Sequence, residues 1–314
     1  MAMLGPLPQV QHTWSRFVGT MDVITDKIQE GLKYYEWCLS FADPRVADWP
    51  LMDRWAPTLY LTAAYLLIVW LGPRLMEKRK PMELTWLMVP YNFATVLLNL
   101  YIFVELVTAS CAAGYSYSCQ RVNYSNDVNE LRIAGALWWY FISKLLEFAD
   151  TFFFIARKKN SQISFLHVYH HTTMFSLWWI GIKWVAGGQS FFGAMMNSGV
   201  HVLMYTYYGL SAMGPRFQKY LWWKKYMTVV QLTQFFIAFA HCVQSLYVEC
   251  DFPGWMHWGL LIYATSLIVL FGNFWVQAYK KPIKAVGAGK TSDKDKAGNG
   301  LQHKNGFVKA KKQQ

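Results

Sequence analysis

Seven stretches of this 314-residue chain run for about 20 residues with little charge, at 57–73, 85–107, 134–156, 164–184, 190–213, 226–247 and 255–279. An α-helix rises ~1.5 Å per residue, so a run of that length crosses the ~30 Å hydrocarbon core of a bilayer. The runs are continuous rather than alternating, which argues against a β-barrel, and a helix satisfies its own backbone groups where no water can. The pattern predicts an all-α integral membrane protein with seven transmembrane helices. The first run opens at Pro57, a tolerated position in a first helical turn. The polar-rich residues 1–56 before it do not resemble a cleaved signal peptide and form a separate N-terminal segment. Residues 57–279 form the spanning domain. Residues 280–314, rich in Gly, Lys and Asn, read as a disordered tail.

Composition fits that reading. Apolar residues make up 54% of the chain and charged residues 15%, against ~25% charged in soluble domains. Five cysteines over this length do not make a disulfide scaffold. A net charge of +12 could suggest a nucleic-acid partner, but its distribution argues for a membrane instead. Loops 74–84, 157–163 and 214–225 and the tail hold twenty-one Lys and Arg, while loops 108–133, 185–189 and 248–254 hold only Arg121 and Arg132. Positive residues collect on the cytoplasmic side, so the C-terminus is expected there and, after seven crossings, the N-terminus in the lumen. The glycosylation sequon Asn123-Tyr124-Ser125 falls in a loop assigned to the lumen. Cys119 and Cys250 lie in two such loops, where a bridge can form; Cys111 is the rival partner. The chain ends Lys311-Lys312-Gln313-Gln314, which has the form of a dilysine retrieval address for the endoplasmic reticulum membrane.

Ionisable groups at membrane depth are expensive and mark candidate sites. Span three carries Lys144, Glu147, Asp150 and Thr151, with the charges three apart on one helical face. They can neutralise one another, and a structural ion pair is the plain alternative for Lys144 and Glu147. Asp150 could instead orient an imidazole. Span four opens with His167, His170 and His171 on one face. Span five carries His201 with Met204, Tyr205 and Tyr208 in one stripe. On span six, Gln231, Gln234 and His241 suit interhelical hydrogen bonding.

Clustered histidines suggest metal first. With His12 and His303 terminal and His257 near an interface, five of the eight histidines remain, and they offer one box, His167 to His171, rather than several, too few to fill two iron coordination spheres, so no metal is expected. The other use of imidazole is acid–base and nucleophilic chemistry, in which an acyl-imidazole divides one acyl transfer into two easier steps. A seven-span receptor has no need of these histidines at the cytoplasmic ends of its helices. A transporter should show internal repeats, and none is convincing. A metal-dependent lipid hydroxylase or desaturase is the nearest chemical rival.

At these residues the chain resembles the very long chain fatty acid elongases of the endoplasmic reticulum. The resemblance runs through Lys-x-x-Glu-x-x-Asp-Thr (Lys144–Thr151), His-x-x-His-His (His167–His171), His-x-x-Met-Tyr-x-Tyr-Tyr (His201–Tyr208) and Gln-x-x-Gln (Gln231–Gln234), in order, and covers about residues 35–280. The stretch from Trp178 to Ala194 is most similar to the subtype four branch. The resemblance implies a 3-oxoacyl-CoA synthase acting on very long saturated and polyunsaturated chains. Its substrates are acyl-CoA and malonyl-CoA, with no bound cofactor. It also implies six helices forming a barrel around an acyl tunnel with one helix outside, and association with other elongases and other enzymes of the elongation cycle. The implied chemistry is ping-pong transfer through a box histidine. His170 is the expected nucleophile and His201 its partner, with His167 and His171 positioning it and Asp150 fixing a tautomer. Tyr205 or Tyr208 would donate to an enolate. Arg157, Lys158, Lys159, Lys224 and Lys225 are candidates to meet CoA phosphates, or to anchor the cytoplasmic face.

Overall fold

A computed structural model of the chain describes residues 8–277, with side chains from Met21 onward except that of Lys225. The expected disordered tail, the Lys311-Lys312 pair and the last two residues of the seventh predicted span lie outside the described residues. Among the described residues there are ten α-helices and no strand. They are α1 (Pro8–Leu39), α2 (Ala56–Met76), α3 (Thr85–Ala112), α4 (Val128–Leu146), α5 (Phe148–Ala156), α6 (Phe165–Val185), α7 (Ser190–Ala212), the single turn α8 (Pro215–Gln218), α9 (Lys224–Tyr247) and α10 (Gly254–Trp275).

Every predicted span falls on a helix or a helix pair. Four of the described helices are long and apolar enough to cross a membrane: α2, α3, α9 from Tyr226, and α10. The remaining predicted spans are more polar. The third includes Lys144, Glu147 and Asp150, α6 carries three histidines and Lys183, and α7 carries Asn197 and His201. Trp70, Leu97, Ile262 and Val269 are exposed on the outer faces of α2, α3 and α10, as suits a surface that meets hydrocarbon rather than water.

Two elements differ from the sequence reading. The N-terminal segment, read only as polar, holds the 32-residue α1. Its apolar positions Met21, Ile24, Ile28, Leu32, Tyr35 and Leu39 recur at three and four residues, a period obscured by the charges between them. Beyond it, Asp43, Arg45, Val46 and Met52 are buried, so this segment packs into the main body. The third predicted span is not one helix. It is interrupted at Glu147, where the Asp150 N–H bonds to the Glu147 carbonyl at 3.2 Å in a tightened turn, and resumes as α5. The turn sets α5 against α2 at Gly72, where a Cβ would stand 2.8 Å from Ile155.

Helix α3 lies along α4 and α7, α4 packs on α6, α6 on α2 and α10, α10 along α9, and α9 on α7. Ile102, Leu106, Leu137, Phe141, Phe175, Trp179 and Phe191 fill the core between α3, α4, α6 and α7. Between apolar helices in lipid, close packing supplies the attraction. At one end the loops are tied together. A Cys119–Cys250 disulfide joins two of them, and Gln189 N–H donates to the Gln120 carbonyl at 2.9 Å. Gly188 has φ +54° and leaves no room for a Cβ, which would meet Val122 N at 2.8 Å. At the other end Lys158 Nζ donates to the Glu77 carbonyl at 2.8 Å.

Candidate active site

Ser164 accepts from His167 N–H at 3.2 Å and caps α6. The cap fixes where the helix begins, so His167, His170 and His171 occupy its first two turns and share a face. Across from them α7 carries Asn197, His201 and Tyr205, each four residues after the last. The Glu147 turn brings the α4–α5 carboxylates between the two.

The ion stripe divides into two pairings. Lys144 Nζ donates to Glu147 Oε1 at 2.9 Å and to Asn197 Oδ1 at 3.1 Å. His201 Nδ1 stands 3.0 Å from the same Glu147 oxygen. A carboxylate there accepts Nδ1–H and leaves Nε2 with its lone pair. Asp150, expected to hold an imidazole, instead accepts the Tyr205 hydroxyl at 2.6 Å. The carboxylate that orients a histidine is therefore Glu147. The difference lies in what faces each carboxylate from α7, His201 opposite Glu147 and Tyr205 opposite Asp150.

The three box histidines have different surroundings. His167 Nε2 pairs with Thr151 Oγ1 at 2.7 Å, and Thr151 pairs with Tyr65. His171 is buried against Tyr65, Phe148 and the His167 ring. The half-buried His170 ring has no hydrogen-bond partner among the described residues, and its centroid lies 6.5 Å from that of His201. The His171 ring likewise makes no hydrogen bond among the described residues, but it is the more buried of the two.

A wide cavity of about 1510 Å³ is lined by Glu147, Asp150, His167, His170, His171, His201, Tyr208, Gln231 and Gln234, with Arg157 and Lys224 also on its wall. A second, narrow space of about 90 Å³ is largely apolar, with Met174, Trp178, Phe192, Leu260 and Leu267 on its wall. It extends towards Gln189, Ser245 and His257, which hydrogen-bond to one another. His170, Asn197, Gln234 and Phe235 line both spaces.

Several expected residues stand elsewhere. Lys144 and Tyr205 are buried behind the cavity wall and do not line it. Lys158 reaches the Glu77 carbonyl, and Lys159 is exposed outside the cavity lining. Positive φ at Lys158 redirects the chain there. The Lys225 side chain lies outside the described residues. Asn197 was missed, although an asparagine at membrane depth one turn before His201 was a readable signal. Among the described residues no three His, Cys, Asp or Glu side chains converge as a metal-ligand set.

The sequence profile of the GNS1/SUR4 family matches residues 50–286. The chain is 57% identical over 281 residues to the very long chain fatty acid elongase 4 of Mus musculus, covering 90% of each protein. It is 56% identical over 293 residues to that of Homo sapiens, covering 93% of this chain and 91% of the relative. The very long chain fatty acid elongase 5 of Tachysurus fulvidraco is 45% identical over 287 residues, with 91% and 94% covered.

Proposed function

The chain belongs to the GNS1/SUR4 family, and from that premise we propose its reaction and the course it takes. It is a multi-pass membrane enzyme of very-long-chain fatty acid elongation, a 3-oxoacyl-CoA synthase that condenses acyl-CoA with malonyl-CoA. The products are 3-oxoacyl-CoA, carbon dioxide and CoA.

One observation carries the mechanism. The ring of His170, without a hydrogen-bond partner among the described residues, lines both the wide cavity and the small apolar space beside it. CoA would occupy the first, with Arg157 and Lys224 placed to meet its phosphates, and the acyl chain the second. A ring nitrogen of His170 attacks the thioester carbonyl. The N–C bond forms, the C–S bond breaks, and the His170 ring proton passes by way of His201 Nε2 to the departing thiolate. Malonyl-CoA then loses carbon dioxide, and its enolate attacks the acyl-imidazole. The C–C bond forms, the C–N bond breaks, and the His170 ring regains a proton from the cavity. The two CoA thioesters and one proton, which replaces the charge lost with the malonyl carboxylate, are the only reactants needed.

The packing order α3, α4, α6, α10, α9, α7 and back to α3 supports a six-helix barrel around the channel, with α2 outside and seven spans in all. The Lys and Arg asymmetry supports an N-terminus in the lumen of the endoplasmic reticulum and a cytoplasmic C-terminus. Asn123 is exposed among the loops assigned to the lumen, where it would take a glycan.

Intact mass spectrometry of the purified protein tests the reading. Incubation with a long acyl-CoA is expected to add one acyl group, mapped to His170, and malonyl-CoA to discharge it as 3-oxoacyl-CoA. Product formation with no adduct in a chase experiment would overturn the acyl-histidine course.

A further inference from the structure

Attack on a thioester places negative charge on the carbonyl oxygen, and a site shielded from water needs a fixed donor aimed at it. Of the two tyrosines expected to donate to the enolate, Tyr205 gives its hydroxyl to Asp150, and Tyr208 lines the wide cavity but not the narrow space. If CoA lies in the wide cavity and the chain in the narrow channel, the reacting carbon lies at their junction. His170, Asn197, Gln234 and Phe235 line both spaces. Two of the four carry amide N–H groups.

Asn197 is held in one orientation. Its Oδ1 accepts the Tyr140 hydroxyl at 2.7 Å and Lys144 Nζ at 3.1 Å. An ammonium can only donate, so the amide cannot flip. Its Nδ2 must face the other way, where its partner is Gln234 Oε1 at 3.5 Å. That contact is at the limit of a hydrogen bond and leaves the second N–H uncommitted. Gln234 Nε2, turned from this contact, has no partner among the described residues. The Lys144 charge on Oδ1 polarises the amide and strengthens its N–H groups as donors.

We propose that Asn197 Nδ2, with Gln234 Nε2 beside it, is the oxyanion hole of the acyl-transfer step, holding the thioester oxygen while His170 attacks. The assignment rests on the reading of His170 as the acyl acceptor. It gives the buried Lys144 a role at a distance from substrate, because Lys144 sets which way the amide points.

Asn197→Asp tests it. Aspartate keeps an acceptor for Tyr140 and Lys144 and replaces the donating NH2 by a carboxylate oxygen, which would repel rather than hold a developing oxyanion. Wild-type protein mixed with acyl-CoA and no malonyl-CoA should release a burst of CoA. The folded variant should give that burst about 10²–10³-fold more slowly, with acyl-CoA affinity within about threefold. A variant burst within about threefold of wild type in rate overturns the assignment alone. No burst from wild type overturns the acyl-histidine reading and the assignment with it. If the variant does not fold, wild-type protein decides by binding. An S-(2-oxoalkyl)-CoA, which keeps a carbonyl, should bind at least about tenfold more tightly than the S-alkyl-CoA thioether of equal length, the scale of one lost buried hydrogen bond. Equal affinity overturns it.

Discussion

Two buried charge clusters sit towards opposite ends of the bundle, and they are made of the same materials. In the one among the loops assigned to the lumen, the Arg45 guanidinium bonds to both oxygens of Asp43 and to the carbonyls of Asn123 and Ala186. Glu130 accepts the Tyr115 hydroxyl at 2.6 Å and the Asn123 amide at 3.3 Å. Burial and the Glu130 carboxylate push the Tyr115 phenol above its usual range, so it stays a donor. In the other cluster, Lys144, Glu147 and His201 share one carboxylate oxygen, while Glu147 Oε2 is buried without a partner. His170 and an N–H of Asn197 are likewise uncommitted. A fully satisfied network rigidifies the fold, and an incomplete one retains capacity for a substrate.

Substitutions should separate the two by what they change. His170→Ala should have the largest effect, lowering condensation by about 10⁴-fold or more, as loss of a nucleophile does. Because the ring has no hydrogen-bond partner among the described residues, the thermal midpoint should hold. Turnover and thermal unfolding of the purified variant check both. Arg45→Met should do the reverse. It leaves Asp43 and Glu130 charged and buried, a loss of about 3–5 kcal/mol, with turnover per folded molecule unchanged. A collapse of turnover in stably folded Arg45→Met protein would remove the distinction.

Two smaller effects sharpen it. Replacing Cys119 and Cys250 together by serine releases a crosslink between residues 131 apart in sequence and should cost about 2–4 kcal/mol. Thermal unfolding reads that loss, and steady-state kinetics should be unaltered. Glu147→Gln keeps the shape and removes the charge that fixes the His201 tautomer and offsets Lys144. It should lower kcat by about 10²-fold and leave acyl-CoA affinity close to wild type.

The difference between the clusters also marks what could be read from the chain. The cluster of Lys144, Glu147 and the histidines was legible because its members repeat at three and four residues within single helices, a regularity that local sequence carries. The cluster of Arg45 and Glu130 was not. Its members are spread over residues 43 to 186, and Arg45 reaches the distant segments through the carbonyls of Asn123 and Ala186, which leave no residue-type signature. The turn at Glu147 was hidden because no Pro or Gly marks it. The exchange of Asp150 for Glu147 as partner of a histidine was hidden too, because it depends on which α7 side chain faces each carboxylate. Asn197 was visible as a polar group at depth, but its importance depends on Lys144 reaching it from another helix.

The smallest effects concern two helix caps, one near each cluster. Ser164 caps α6 through His167 N–H, and Asp127 caps α4 through Asn129 and Glu130 N–H at 2.8 and 3.4 Å. Removing either by alanine should cost about 1 kcal/mol, so stability alone would not tell them apart. Kinetics should. Ser164 sets the starting turn from which His167 and His170 project, and a small shift there is felt at the reacting carbon. Ser164→Ala should lower kcat by about threefold to tenfold on that ground, and Ser164→Asn, which can cap equally well, should recover most of it. Asp127→Ala should leave kcat unchanged, because the carboxylate it positions serves only the complete network. Equal kinetic losses in both alanine variants would mean that the two ends are coupled through α4, and that satisfied and incomplete networks do not divide structure from chemistry here.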